Sequence, residues 1–412
     1  MSQWLIAGLL FTPLAWAALS LLLGFRQGRW LSWLGMLIQM AVSLALWFAV
    51  MEDGGFIYAL GGWDAPLGIA LRVDGLAVTF VLLTAAIGTA CGLHAGVYLD
   101  ADKPWQRYFW PLFWFLAAVG LVALGGEAAA LRAALRYLFA ALLGSLAYLL
   151  GVALLYGRFG TLSLAVIDQL LVSGEPALIV ALLLMLAGLA LKTALFPLHA
   201  WLPPAHGIAR SPVSALLSGL VIKASFYIAA RLWMGLGDRL GSQWLAQGMG
   251  VLGAAAVVWG SWLAFRQPHL KQVVAYSSVA QIGYLFLLFP LTFTVAEPVS
   301  LLAQQGVTLQ VISHALAKAA MFLAAGNLIL SVRSNRVDAL AGVSHFLPFS
   351  LFSFGLAGVS LMGLPPTGGF AAKWLLLQAS LASGQWWWVV VLLLGGVLAA
   401  AYVFRIYRAS FL

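Results

Sequence analysis

Apolar residues run through this chain in blocks of about 20, the length that carries a helix across a ~30 Å hydrocarbon core. Short polar stretches separate them. The predicted crossings fall at 4–25, 30–50, 76–98, 137–156, 177–196, 213–233, 248–265, 275–293, 307–332 and 386–407. Two segments do not fit a plain crossing: 108–125 is short, and 347–383 is too long for one straight span. The polar loop 52–74 carries Gly54-Gly55 and Gly61-Gly62 as turn signals. Residues 161–172 are less apolar and are expected to lie along the membrane interface as a short amphipathic piece. The pattern predicts an all-α fold, a polytopic transmembrane helical bundle.

Two of these stretches are broken and carry lysine. In the first, Lys192 is followed five residues on by Pro197, which removes an amide donor and interrupts the helix. The next apolar run holds Lys223 in its middle. In the second half, Gly363-Leu364-Pro365-Pro366-Thr367-Gly368-Gly369 interrupts 347–383, with Lys373 just beyond. Non-helical backbone at membrane depth survives where it is buried in protein or lines a cavity. Interrupted segments in corresponding positions of two halves are the mark of inverted repeats with a site between them. The expected organisation is N-terminal helices over 1–107, a first inverted repeat over 108–233 and a second over 241–412.

The charges inside the spans carry the candidate chemistry. Four of the six lysines, Lys192, Lys223, Lys318 and Lys373, lie in or beside apolar spans, whereas all twelve acidic residues fall in loops. An ammonium at bilayer depth costs several kcal/mol and marks an ion path by facing a protein interior or a water-filled cavity. The bland alternative, for Lys192 above all, is a side chain that snorkels to the headgroups. His314 and Lys318, four residues apart, share a helix face. Taking an ammonium out of water disfavours its charged form, so a row of lysines and histidines linked by water would pass protons, with His314 as the step nearest neutrality. His199 and His206 either support that row or simply hydrogen-bond carbonyls freed at the break. His94, His269 and His345 receive no role, and Lys271 is read as an interfacial anchor.

Composition agrees. The chain is 64% hydrophobic and 8% charged, with mean hydropathy +1.02, against about 25% charged in soluble domains. A net charge of +9 would suit nucleic acid, but loop arginines and buried lysines account for it, so no nucleic-acid partner is expected. A single cysteine, Cys91, excludes an internal disulfide or a cysteine-ligated cluster. Nothing suggests a metal or cofactor site. The start, Met1-Ser2-Gln3, lacks a basic segment, so the first helix is expected to be retained.

The residues from Leu191 to His206, L-K-x-x-x-x-P-x-H-x-W-L-P-x-A-H, followed by a lysine-bearing helix, resemble the antiporter-like membrane subunits of respiratory complex I, multisubunit sodium/proton antiporters and membrane-bound hydrogenases. Other segments are similar to the same family. They are Leu270-Lys271 through Ala275-Tyr276-Ser277-Ser278 to Gly283, His314 through Lys318 to Phe322-Leu323, Gly363 to Lys373, and Asp74-Gly75-Leu76. The resemblance implies that Lys192, Lys223 and Lys373, with His314 and Lys318 between them, form a central hydrophilic axis moving protons or sodium ions. It also implies other membrane subunits as partners in a proton-translocating oxidoreductase or antiporter complex, with no catalysis by this chain alone. The alternatives are a structural subunit that has lost transport and a stand-alone secondary transporter.

The chain departs from the family at one place. Phe113-Trp114-Phe115-Leu116 looks like the family's F-W-E-L with phenylalanine where the glutamate paired to the lysine matching Lys192 would stand. Residues 108–125 supply one short span where the family has two helices, and the family carries a further helix beyond the one ending near residue 407. Loop charges bear on the topology. If 108–125 makes an even number of crossings, seventeen loop Lys and Arg divide thirteen to four, with only Arg72, Arg158, Arg231 and Arg239 opposed; a single crossing divides them ten to seven. Positive residues favour the cytoplasmic side of short loops. A multi-pass protein of the cell membrane is therefore expected, with 108–125 not an ordinary crossing, Met1 outside and Leu412 in the cytoplasm.

Overall fold

The computed structural model describes residues 2–63, 70–99, 103–170, 175–237 and 243–411. Met1, Asp64, Asp100, Asp102, Asp238, Arg239, Leu412, the end of the 161–172 piece and the boundary at 241 lie outside the described residues. The chain is a multi-pass membrane protein. Among the described residues ten helical runs are long and apolar enough to cross a membrane. They begin with α1 (Ser2–Leu21), α2 (Phe25–Asp53) and α3 (Gly75–Tyr98). Part of the loop between α2 and α3 is not irregular: β1 (Phe56–Ala59) pairs antiparallel with β2 (Ala70–Val73), Phe56 opposite Val73. Asp74 then caps α3 by accepting from the Ala77 amide at 3.0 Å.

The 108–125 segment forms two helices of six residues, α4 (Phe109–Trp114) and α5 (Ala118–Ala123). Each rises about 9 Å, so neither crosses alone. They meet at Leu116, whose φ of +46° turns the chain. Aromatic residues anchor this knot: the Trp110 indole donates to the Phe25 carbonyl at 3.1 Å and the Trp114 indole to Ser32 at 2.9 Å. Next come α6 (Ala128–Phe159), which starts nine residues earlier than its hydropathy suggests, and α7 (Leu164–Leu170). The first break separates α8 (Pro176–Thr193) from α9 (Leu202–Ile208), and α10 (Ser211–Leu216) leads through a widened turn at Leu217–Val221 into α11 (Ile222–Leu236).

The second half comprises α12 (Gln243–Arg266), α13 (Leu270–Leu285), α14 (Leu288–Thr292), α15 (Glu297–Val332), α16 (Val343–Phe346), α17 (Pro348–Met362), α18 (Gly368–Ala382) and α19 (Trp387–Phe411). At 36 residues, α15 is about 54 Å long, and it packs against α3, α10, α13, α17 and α18. The run that holds α13 is 94% buried and forms the centre of the bundle. Small residues let neighbouring backbones approach closely. A Cβ added to Gly144 on α6 would stand 2.7 Å from the Gly188 carbonyl on α8, and one on Gly253 of α12 would stand 2.5 Å from the Gly283 carbonyl on α13. Outward positions such as Phe139, Leu146 and Val397 remain apolar and exposed.

Candidate functional site: a row of buried lysines

Each break frees carbonyls, and their partners show how the site is built. The first break opens at Ala194, three residues before Pro197, where φ of +59° ends α8. Proline disfavours a helical conformation in the residue before it, so the interruption begins upstream. The Trp201 indole donates at 2.9 Å to the Leu191 carbonyl, which also accepts from the Ala194 amide, and its ring stacks on Tyr137 at 4.6 Å. His206 is fully buried against Phe322, at 5.1 Å, and neither ring nitrogen meets a protein partner. His199 lies on Phe196 at 5.6 Å, and its Nδ1 likewise finds none.

Lys192 is half-buried, and its stem lies on Gly144, where an added Cβ would come 3.0 Å from Cγ. Phe115, at the place of the family's acid, is 57% exposed. Among the described residues no carboxylate pairs with Lys192, Lys223, Lys271, Lys318 or Lys373.

Lys223 is 1% exposed. Widened turns inside helices collect at functional sites, and here the widening has a local consequence. Leu217–Val221 leaves the Ser218 carbonyl for the Lys223 amine, which donates to it from one turn further along. The Ser218 hydroxyl meets the Ser278 hydroxyl at 2.9 Å. Ser278 and Ser277 both donate to the Val274 carbonyl, at 3.1 and 2.9 Å. Lys318, fully buried, donates to that same carbonyl at 3.0 Å and also to the Ser277 hydroxyl. Of the adjacent serines of α13, Ser277 thus meets Lys318, and Ser278 meets Ser218, whose carbonyl holds Lys223. His314, one turn before Lys318 on α15, is 1% exposed with both ring nitrogens unpartnered by protein.

At the second break, Gly363 takes φ of +82° and frees the preceding carbonyls. Lys373 donates to two of them, Leu361 at 2.9 Å and Met362 at 3.0 Å, and its amine stands 4.7 Å over the Tyr284 ring. The Leu361 carbonyl also accepts from Gln281 at 3.0 Å, and Gln281 accepts from Gln310 at 2.9 Å. Lys192 is the outlying member of the row: Lys223, His314, Lys318 and Lys373 share the buried interior of α10 to α18.

Lys271 requires a correction. It is not an interfacial anchor: it is 6% exposed, and its amine donates to the Ala209 carbonyl at the end of α9. The two glutamines and the widened turn were also missed. A neutral amide leaves no mark on hydropathy, and Ser218-Gly219 is a weak sign of a helix defect.

Lysine amines held by backbone carbonyls, at a helix break, a widened turn and within α13, deep in an apolar bundle, define a class of membrane subunit built around a buried polar row. Residues 110–399 match the family described as NADH:quinone oxidoreductase/Mrp antiporter, TM, and the chain belongs to that family. It is 34% identical over 399 residues to NADH-quinone oxidoreductase subunit N of Desulforudis audaxviator (strain MP104C), covering 90% of this chain and 78% of the relative. It is 28% identical to a Na(+)/H(+) antiporter subunit of Bacillus subtilis (strain 168), covering 91% and 80%. Among solved structures, a chain of the Mrp complex from Dietzia sp. DQ12-45-1b superposes with a TM-score of 0.88 at 25% identity, covering 100% of this chain and 79% of that one. A chain of the membrane-bound sulfane sulfur reductase, an archaeal respiratory membrane complex, does so with a TM-score of 0.90 at 25% identity, covering 100% and 88%.

Proposed function

We propose that this chain is an ion-translocating subunit of a larger membrane complex, and that it moves protons or sodium ions along the row Lys192, Lys223, His314, Lys318 and Lys373. The observation that carries the reading is the run of contacts from Lys223 through Ser218, Ser278, Val274 and Ser277 to Lys318. Two amines without carboxylate partners among the described residues are linked there through three serine hydroxyls and the backbone carbonyls of Ser218 and Val274; each hydroxyl can accept a proton on one side and donate on the other. His314 adds a titratable ring one turn from Lys318, and His199 and His206 line the approach at the first break. Partners are other membrane subunits, as in the multisubunit assemblies that the names of its relatives describe. The surrounding medium is the lipid bilayer of the cell membrane. Residues 108–233 and 241–412 act as two inverted repeats about the row, with 1–107 as an N-terminal set. The N-terminus lies outside and the C-terminus in the cytoplasm, as the thirteen-to-four division of loop charge supports.

One observation favours a second reading, a structural subunit that has lost transport: among the described residues no acid pairs with Lys192. The test is ion flux into vesicles containing the complex purified with its native partners. Flux that responds to substitution in the row supports translocation; flux indifferent to every row lysine supports the structural role.

A further inference from the structure

Between Lys318 and Lys373 the polar contacts change character. From Lys223 to Lys318 the bridging groups include the hydroxyls of Ser218, Ser278 and Ser277. Beyond Lys318 two amides enter, beside the buried Tyr402 hydroxyl, which lies against Ser277 and Gln281. Gln310 of α15 donates through Nε2 to Gln281 Oε1 at 2.9 Å, and Gln281 of α13 donates through its own Nε2 to the Leu361 carbonyl at 3.0 Å, where Lys373 also donates. Gln281 and Gln310 are 1% and 2% exposed. Gln281 lies one turn beyond Ser277 on the same face of α13, so it occupies the step that follows the Lys318 contact.

A hydroxyl can take a proton on one lone pair while releasing another. A primary amide cannot do so readily, because it would have to be protonated on oxygen and lose a proton from nitrogen, passing through its imidic form. Here the Gln310–Gln281 and Gln281–Leu361 hydrogen bonds both run N–H to oxygen, so neither places a hydroxyl proton between the two amides. Next to the pair the Tyr284 hydroxyl, one turn further along α13, is buried and has no protein partner, a polar group at which an entering water would find a hydrogen bond.

We infer that Gln281 and Gln310 form a gate within the row: closed, the amide pair separates Lys318 from Lys373, and opened, it parts to admit water that completes the path. This inference rests on the translocation reading. Gating of this kind keeps the two ends of the row from being connected at once, which a coupled translocator requires.

The complex purified with its partners is reconstituted into vesicles, and passive proton entry under an imposed potassium-diffusion potential is followed with an internal pH dye. Gln281→Ala removes both amide bonds and leaves room for water. Passive flux is expected to rise about fivefold for each hydrogen bond of ordinary strength no longer broken on opening. Gln281→Leu keeps the volume without the polarity and is expected to lower flux below wild type. Gln310→Ala, which frees Gln281 Oε1, is expected to raise flux less than Gln281→Ala. Assembly of each variant is read from its elution with the partner subunits. Opposite effects of alanine and leucine at one position support the gate. Equal effects of the two, or none, with flux still abolished by Lys318→Met, overturn the gate and leave the row intact. Flux unchanged by Lys318→Met overturns the row itself, and the gate with it.

Discussion

Replacing Lys223 by methionine removes the amine and keeps most of the stem's volume, so the effect can be apportioned. In the wild type the amine lies in an interior that is 1% exposed and is held by the Ser218 carbonyl, without a carboxylate. Loss of the amine leaves that carbonyl unpaired, which costs about 1–3 kcal/mol. It also relieves the burial of a group whose charged form carries an effective penalty of several kcal/mol. The terms oppose each other, and the stability of the assembled complex is expected to change by no more than about 1–2 kcal/mol, in either direction. Transport is different. A proton crossing that position then has no titratable group, and a gap of about 3 kcal/mol corresponds to a loss of more than a hundredfold. The assay is driven proton uptake into vesicles containing the complex, with thermal denaturation of the same preparation as the stability control. A stable, assembled Lys223→Met complex that still transports at close to the wild-type rate would refute the reasoning.

Three further outcomes follow from the same geometry. Lys373→Met should depress uptake at least tenfold, the effect of a barrier raised by about 1.4 kcal/mol, whereas Lys103→Ala in a loop should leave it unchanged; both are read in the vesicle assay. Asp74 tests pH dependence. Burial alone would raise its carboxyl, but the hydrogen bonds from Arg231 and the Ala77 amide, with the charges of Arg231 and Arg72, hold it below the ordinary carboxylate value. A depressed folded value contributes stability above the unfolded pKa of about 3.9, lost as pH falls through the folded one. Asparagine caps a helix as well as aspartate, so Asp74→Asn isolates the ion pair: about 1 kcal/mol should be lost near neutral pH, and the deficit should shrink in thermal melts as pH falls below about 4. A deficit that persists there would contradict the assignment. Finally, an even number of crossings over 108–125, as the loop charges favour, requires that Lys103→Cys and Arg132→Cys label from the same membrane face with an impermeant thiol reagent; labelling from opposite faces would show a single crossing.

How much could be read from the residues alone differs from element to element. Lysines stand out because an ammonium inside an apolar run has few innocent explanations, and Lys223, Lys318 and Lys373 lie where that reasoning places them, in the protein interior. The breaks were legible because proline and glycine have local backbone consequences, although the first opens at Ala194 and not at Pro197. Burial that depends on distant chain was not legible. Lys271 stands at the edge of its run and looks interfacial, yet the end of α9 comes over it and offers the Ala209 carbonyl. Gln281 and Gln310 escaped because an amide suits a loop, a cap or a core equally well, and only the pairing of α13 with α15 gives them a joint role. The extra length of α6 was hidden because Arg132 and Arg136 break the apolar run near its start while the backbone continues as helix.

The translocation proposed for this chain places a proton at Lys318, where the serine-linked and amide-linked parts of the row meet. Its most direct test is driven proton uptake by the reconstituted complex carrying Lys318→Met, beside wild type prepared with the same partners. The variant complex is expected to assemble and its uptake to fall by about two orders of magnitude, the consequence of a barrier raised by close to 3 kcal/mol. Uptake at the wild-type rate would contradict the proposal.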